Sequence, residues 1–215
     1  MTAVDEGFAA RLRAATRDEH ERAERSAFVA DLLGGRLGLG AYAALLAQSH
    51  VFYGVLEEAG EHWRGDAVVG RFVIDGLLRR GALERDLAYL LGPGWRAGVR
   101  PLPATLSYVD RLREVCFTDR GAFVAHHYTR YLGDLSGGQV IRRRLKDLFG
   151  LDGDGVRFYD FDAVGKPKPF RDHYRDLLDT TAWDEDERAS LISEANVAFR
   201  LNRAVFDDLG GVHHA

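Results

Sequence analysis

The 215-residue chain has a single cysteine, Cys116, one methionine and five prolines. One cysteine excludes an internal disulfide and any cysteine-bound zinc or iron–sulfur cluster, so a reducing, cytoplasmic setting is expected. No apolar run reaches the ~18 residues needed to span a bilayer, and Asp5, Glu6, Arg11 and Arg13 interrupt the start where a leader would be apolar. A protein without a membrane anchor is expected. Charge of one sign is also missing: the formal net charge is -4, with both signs interspersed. Nothing there forms the basic field that a nucleic-acid partner requires. Alternating strand patterns are absent, as are Glu-x-x-His pairs, because none of the eight histidines has a glutamate three residues before it. That excludes the di-iron carboxylate bundle, which is built on such pairs.

What is present is helical periodicity. A hydrophobic content of 46% and a length near that of one large domain predict an all-α, single-domain globule of some eight helices. Helices are expected over about Phe8 to Leu33, stopped by Gly34-Gly35, and over Leu39 to Gly60. Further ones are expected over Val68 to Leu78, Leu83 to Leu91, Ala104 to Phe117, Asp119 to Gly150 and Phe170 to Leu178. Leu151 to Pro169 reads as a long loop. Asp184 followed by Glu187 reads as the capping pair of a last helix. The domain is expected to fill 1–209, with 210–215 as a flexible tail.

One stretch resists this simple reading. In YTRYLGDLSGGQVI, Tyr128 to Ile141, three glycines sit inside a helical pattern at a cost of about 2–3 kcal/mol relative to alanine. Gly133 and Gly137 share one face and Gly138 widens it, a bare surface suited to a flat ligand or to tight helix packing. Asp134 lies among them, and a carboxylate in so apolar a segment needs a partner. On the first helix His20 is followed one turn later by Glu24, which is either an ordinary exposed pair or a carboxylate orienting an imidazole.

The string YLGDLSGGQVI closely resembles the distal-helix signature of the haem oxygenases. The stretch Leu12 to Leu33 resembles the proximal helix of that family, and AFRLNRAVF, Ala198 to Phe206, its last helix. The resemblance implies haem held between the first helix and a kinked glycine-rich helix, with His20 as the iron ligand and Glu24 behind it. It places Gly133, Asp134, Gly137 and Gly138 above the iron, Tyr53 in a distal water network, and Arg130 and Asn202 in support. Arg13, Tyr128, Arg171 and Arg175 fall at the propionate positions, Arg171 standing where the family usually has lysine. Phe199 and Phe206 are pocket wall or core. The implied reaction converts haem, O2 and electrons to biliverdin of the alpha isomer, carbon monoxide and ferrous iron. No flavin or dinucleotide motif occurs, so the electron donor is a separate ferredoxin or flavoprotein reductase, for which Arg142, Arg143, Arg144 and Lys146 offer a basic face. A monomer is expected. The competing reading is a non-catalytic haem carrier or sensor, which would keep His20 but has no need of Asp134.

Overall fold

The computed structural model describes residues 7–214. Among these the chain is all helix and connection, in ten α-helices: α1 Phe8–Glu24, α2 Ala27–Leu33, α3 Leu39–Trp63, α4 Arg80–Leu91, α5 Trp95–Gly98, α6 Pro103–Val115, α7 Arg120–His127, α8 Gly133–Phe149, α9 Pro167–Thr180 and α10 Glu185–His214. A π-helical turn, Tyr128–Leu132, joins α7 to α8.

Local chemistry accounts for most of the boundaries. The α10 start is a reciprocal capping box: the Glu187 amide donates to Asp184 Oδ1 at 2.8 Å and the Asp184 amide to Glu187 Oε2 at 2.9 Å. Other helix starts are capped from a distance. Asp179 of α9 accepts the Ala9 amide at 2.7 Å, Glu57 of α3 accepts those of Arg79 and Arg80, and Asp208 of α10 accepts that of Ala104 at 2.8 Å. Each such contact satisfies an orphan helix-start donor and ties two elements together. At the far end of α8, Gly150 takes the left-handed conformation, φ 68°, which glycine adopts without a Cβ clash.

Four expectations are corrected. The Phe8 to Leu33 helix is two helices, broken at Arg25-Ser26, where the Ser26 hydroxyl accepts the Val29 amide and starts α2 afresh. The Val68 to Leu78 helix is instead two 3-10 turns, Gly70–Phe72 and Asp75–Leu77. The last helix does not fray at 210 but continues to His214, with the His213 ring 6.3 Å from that of Phe28. Finally, α3 is long and apolar enough to cross a membrane, yet 67% of its most apolar 18-residue window is buried inside the fold. It is the core helix, with Phe52, Tyr53 and Leu56 almost wholly enclosed.

At thirty residues and about 45 Å, α10 is the spine of the molecule. It packs against α7, α1, α6, α2 and α3 in turn, while α1 also lies on α9. The first helix and the start of the glycine-rich helix are thus both referenced to the same rod.

Candidate functional site

On α1 the His20 imidazole is half-exposed, its Nδ1 3.6 Å from Glu24 Oε2. The edge of the Phe199 ring, from α10, meets it at 5.5 Å between centroids and 78° between planes. Among the described residues Nε2 of His20 has no partner, so the arrangement steadies one ring nitrogen and presents the other. Two turns before it on the same helix, Arg13 shares a neighbourhood with Tyr128 and Arg175. Burial pushes the Tyr128 phenol up, and the charges of Arg175 and Arg13 pull it back. Arg175 also pairs with Asp172 at 2.9 Å, and Arg171 donates to the Ser136 hydroxyl at 3.1 Å, reaching from α9 to α8.

The opposite side is buried. Asp134, at the first turn of α8, accepts a hydrogen bond from the Tyr53 hydroxyl and pairs with Arg130 at 3.3 Å. Arg130 in turn donates to the Asn202 side-chain oxygen, and its guanidinium lies 4.9 Å from the centre of the Phe52 ring. Enclosure, and after it the adjacent Asp134 charge, hold the Tyr53 phenol well above its usual range. Burial alone would make Arg130 easier to deprotonate, but Asp134, then Tyr53 and Tyr108, outweigh it and hold the cation firmly charged. The result is a continuous chain Tyr53–Asp134–Arg130–Asn202 crossing from α3 through the π-turn to α10. Phe199 and Asn202 are three residues apart on α10, so one face of one helix touches His20 and closes the Asp134 network.

The glycines divide. A Cβ at Gly133 or Gly137 would meet no atom within 4 Å, whereas one at Gly138 would come within 2.5 Å of Tyr159 Cδ1. Gly133 and Gly137 therefore leave an open face. Gly138 does not: it is a packing glycine, which corrects the three-glycine patch expected from the sequence. Phe206 stacks on Phe28 of α2 at 6.4 Å, toward α2, and is not in contact with His20. Of the basic series on α8, Arg144 donates to the Leu33 carbonyl at the end of α2 and Lys146, itself exposed, pairs with Asp152, while Arg143 is exposed and Arg142 half-buried.

Several neighbours of this network had no recognisable sequence signal. Tyr131 packs its ring 5.4 Å from Tyr53 and 4.4 Å from His127, and Tyr108 stacks on Phe52 at 5.0 Å. Tyr159 comes from the segment read as a loop. Their one common mark is a tyrosine on an otherwise apolar stripe. His126 and His127 are buried between helices: His126 Nε2 meets Glu194 at 2.9 Å and His127 Nδ1 meets the Tyr174 hydroxyl at 2.8 Å.

A family model described as Heme oxygenase matches residues 6–208. The chain belongs to the haem oxygenase family. As such it is a haem-degrading oxidoreductase. A Heme oxygenase of Rhodella violacea is 35% identical over 95% of this chain and 88% of its own length. Heme oxygenase 1 of a Nostoc species is 36% identical over 97% and 88%. The crystal structure of heme oxygenase-1 from Synechocystis sp., a complex with heme, superposes with a TM-score of 0.92 at 32% identity, covering 97% of this chain and 95% of that one. The residues fit a haem: a half-exposed imidazole with a free nitrogen on one helix, an open glycine face on another, and three cationic or phenolic groups gathered at Arg13, Tyr128 and Arg175.

Proposed function

We propose that the chain cleaves haem oxidatively to biliverdin, the alpha isomer, with release of carbon monoxide and ferrous iron, using O2 and electrons from a separate ferredoxin or flavoprotein reductase. The observation that carries this reading is the buried chain from Tyr53 through Asp134 and Arg130 to Asn202, ending on the same α10 face that touches His20. A carrier needs only the imidazole. A buried carboxylate clamped beside an open glycine face serves a site that must manage protons.

Haem, as substrate, supplies both the iron that binds O2 and the ring carbon that is oxidised. The chain supplies the rest. His20 would bind the haem iron through Nε2, while Glu24, its Oε2 3.6 Å from Nδ1, would favour the tautomer that carries its proton there. The bare backbone at Gly133 and Gly137 leaves room for a small ligand such as O2. Asp134, its carboxylate oriented by Tyr53 and Arg130, holds a water and passes a proton through it to the oxygen ligand. Histidine donates electron density less strongly than the thiolate of cytochromes P450, so control of the oxygen rests on these distal groups. Arg13, Tyr128, Arg171 and Arg175 take the propionates, and Arg142 and Arg143 lie on the face offered to the electron donor. With its one cysteine buried as a free thiol, the protein fits a cytoplasmic monomer.

The test is direct. Haemin added to the purified chain should give a Soret band that decays under a reductant in air as bilin absorbance grows, and His20→Ala should bind weakly and lose at least about 100-fold in turnover. A stable Soret band without bilin in the wild-type chain would reject the enzyme and leave the carrier.

A further inference from the structure

The segment between α8 and α9 is far more tightly held than its glycine- and aspartate-rich composition predicts. Arg79, only 5% exposed, donates to the carbonyls of Gly76, Leu77, Phe158 and Asp160 and lies 4.1 Å from the Phe161 ring centre. Asp86, fully buried, accepts the Arg157 and Phe158 amides at 3.0 and 2.7 Å. The Tyr42 hydroxyl donates to the Gly155 carbonyl at 2.9 Å. Residues 155–161 are thus fixed to α3 and α4 by buried hydrogen bonds, each costly to break.

Tyr159 projects from this brace onto α8. Its Cδ1, Cε1 and Cγ would lie 2.5, 3.2 and 3.5 Å from a Cβ at Gly138, and the Gln139 side-chain Nε2 donates to the Tyr159 carbonyl at 2.9 Å. Beyond that point α8 is also tied to α2 through Arg144 and Leu33. Before it, a Cβ at Gly133 or Gly137 would meet nothing, while Asp134 and Ser136 are held by Tyr53, Arg130 and Arg171. The brace from 155–161 therefore meets the helix at Gly138 and Gln139, one turn beyond Asp134.

We propose that Tyr159 is a positioning residue that pins the glycine-rich helix at Gly138, so that the height of the open face at Gly133 and Gly137 is set from behind. The pin stands on packing alone; only its consequence for the cleft rests on the haem oxygenase reading.

Hydrogen exchange on the full chain without haem tests it. Amides 139–147 should exchange at least about tenfold faster in Tyr159→Ala than in the parent chain. Tyr159→Phe, which keeps the ring, should preserve the parent protection. Gly138→Ala, pushing from the other side, should loosen the same stretch, and Gly138→Ala combined with Tyr159→Leu should recover most of the protection. In the ferric haem complex, azide affinity should shift several-fold in Tyr159→Ala and stay unchanged in Tyr159→Phe. Unaltered exchange of 139–147 in a folded Tyr159→Ala chain, or a Gly138→Ala defect that Tyr159→Leu leaves untouched, would overturn the pin. Because exchange is read without haem, failure of the pin and failure of the oxygenase reading appear in different measurements.

Discussion

The two parts of the candidate site are built on opposite terms. On α1 the pair His20–Glu24 stands in solvent, with side-chain exposures of 45% and 62%, and its neighbours are exposed ion pairs such as Arg25–Glu21. At the entry to α8, Arg130 and Asp134 are 8% and 15% exposed and each has a further partner. An exposed pair contributes little and adapts freely, whereas a buried pair is costly to disturb and holds one geometry. The α1 side is the yielding one. The Asp134 side is fixed in one geometry by its own partners.

That contrast can be broken at several points. Arg130→Met removes the cation from a buried carboxylate and should lower stability by about 3 kcal/mol, read as a fall in denaturation midpoint. Adding Asp134→Asn to it should restore part of the loss. Asp134→Asn alone should leave haem affinity within a few-fold while turnover falls about 100-fold, a split between binding and chemistry that a packing defect would not give. The third prediction concerns acid. Burial pushes His127 from its ordinary 6.5 down to about 3, so the unfolded chain takes up a proton that the folded chain refuses. Stability is then full above pH 6.5 and falls as the pH drops toward 3, by about 1.4 kcal/mol per pH unit from this group. His127→Gln should remove one proton's worth of that slope in denaturation measured against pH. Smallest is Glu24→Gln, where the loss of an exposed pair should change haem affinity by less than about 1 kcal/mol. A large effect there would place Glu24 on the rigid side of the comparison.

How much of this was readable beforehand follows from the range of the interactions. The all-helical class, the Asp184/Glu187 cap and the Gly34-Gly35 stop are local, and so is the resemblance around Gly133 to Gly138. The break at Ser26 was legible in principle, since serine is a strong N-cap, but the apolar stripe continues through it and hides the signal. The π-turn at 128–132 changes the backbone without changing the spacing of the apolar residues. Tyr159 against Gly138, and Arg79 against the Phe158 and Asp160 carbonyls, join residues from 21 to 81 positions apart, and no local pattern announces such a pairing. This is why Gly138 looked like its two neighbours in sequence and differs from them in space.

The last helix carries one more implication. Phe199 and Asn202 sit about 4.5 Å apart along a single rod, one bearing on the imidazole and the other closing the carboxylate network. A slide of that rod by one residue would disturb both contacts together, so in this scaffold the packing on the His20 imidazole and the closure of the Asp134 network cannot be tuned separately by moving α10. Variation in either must be sought in the side chains facing the gap.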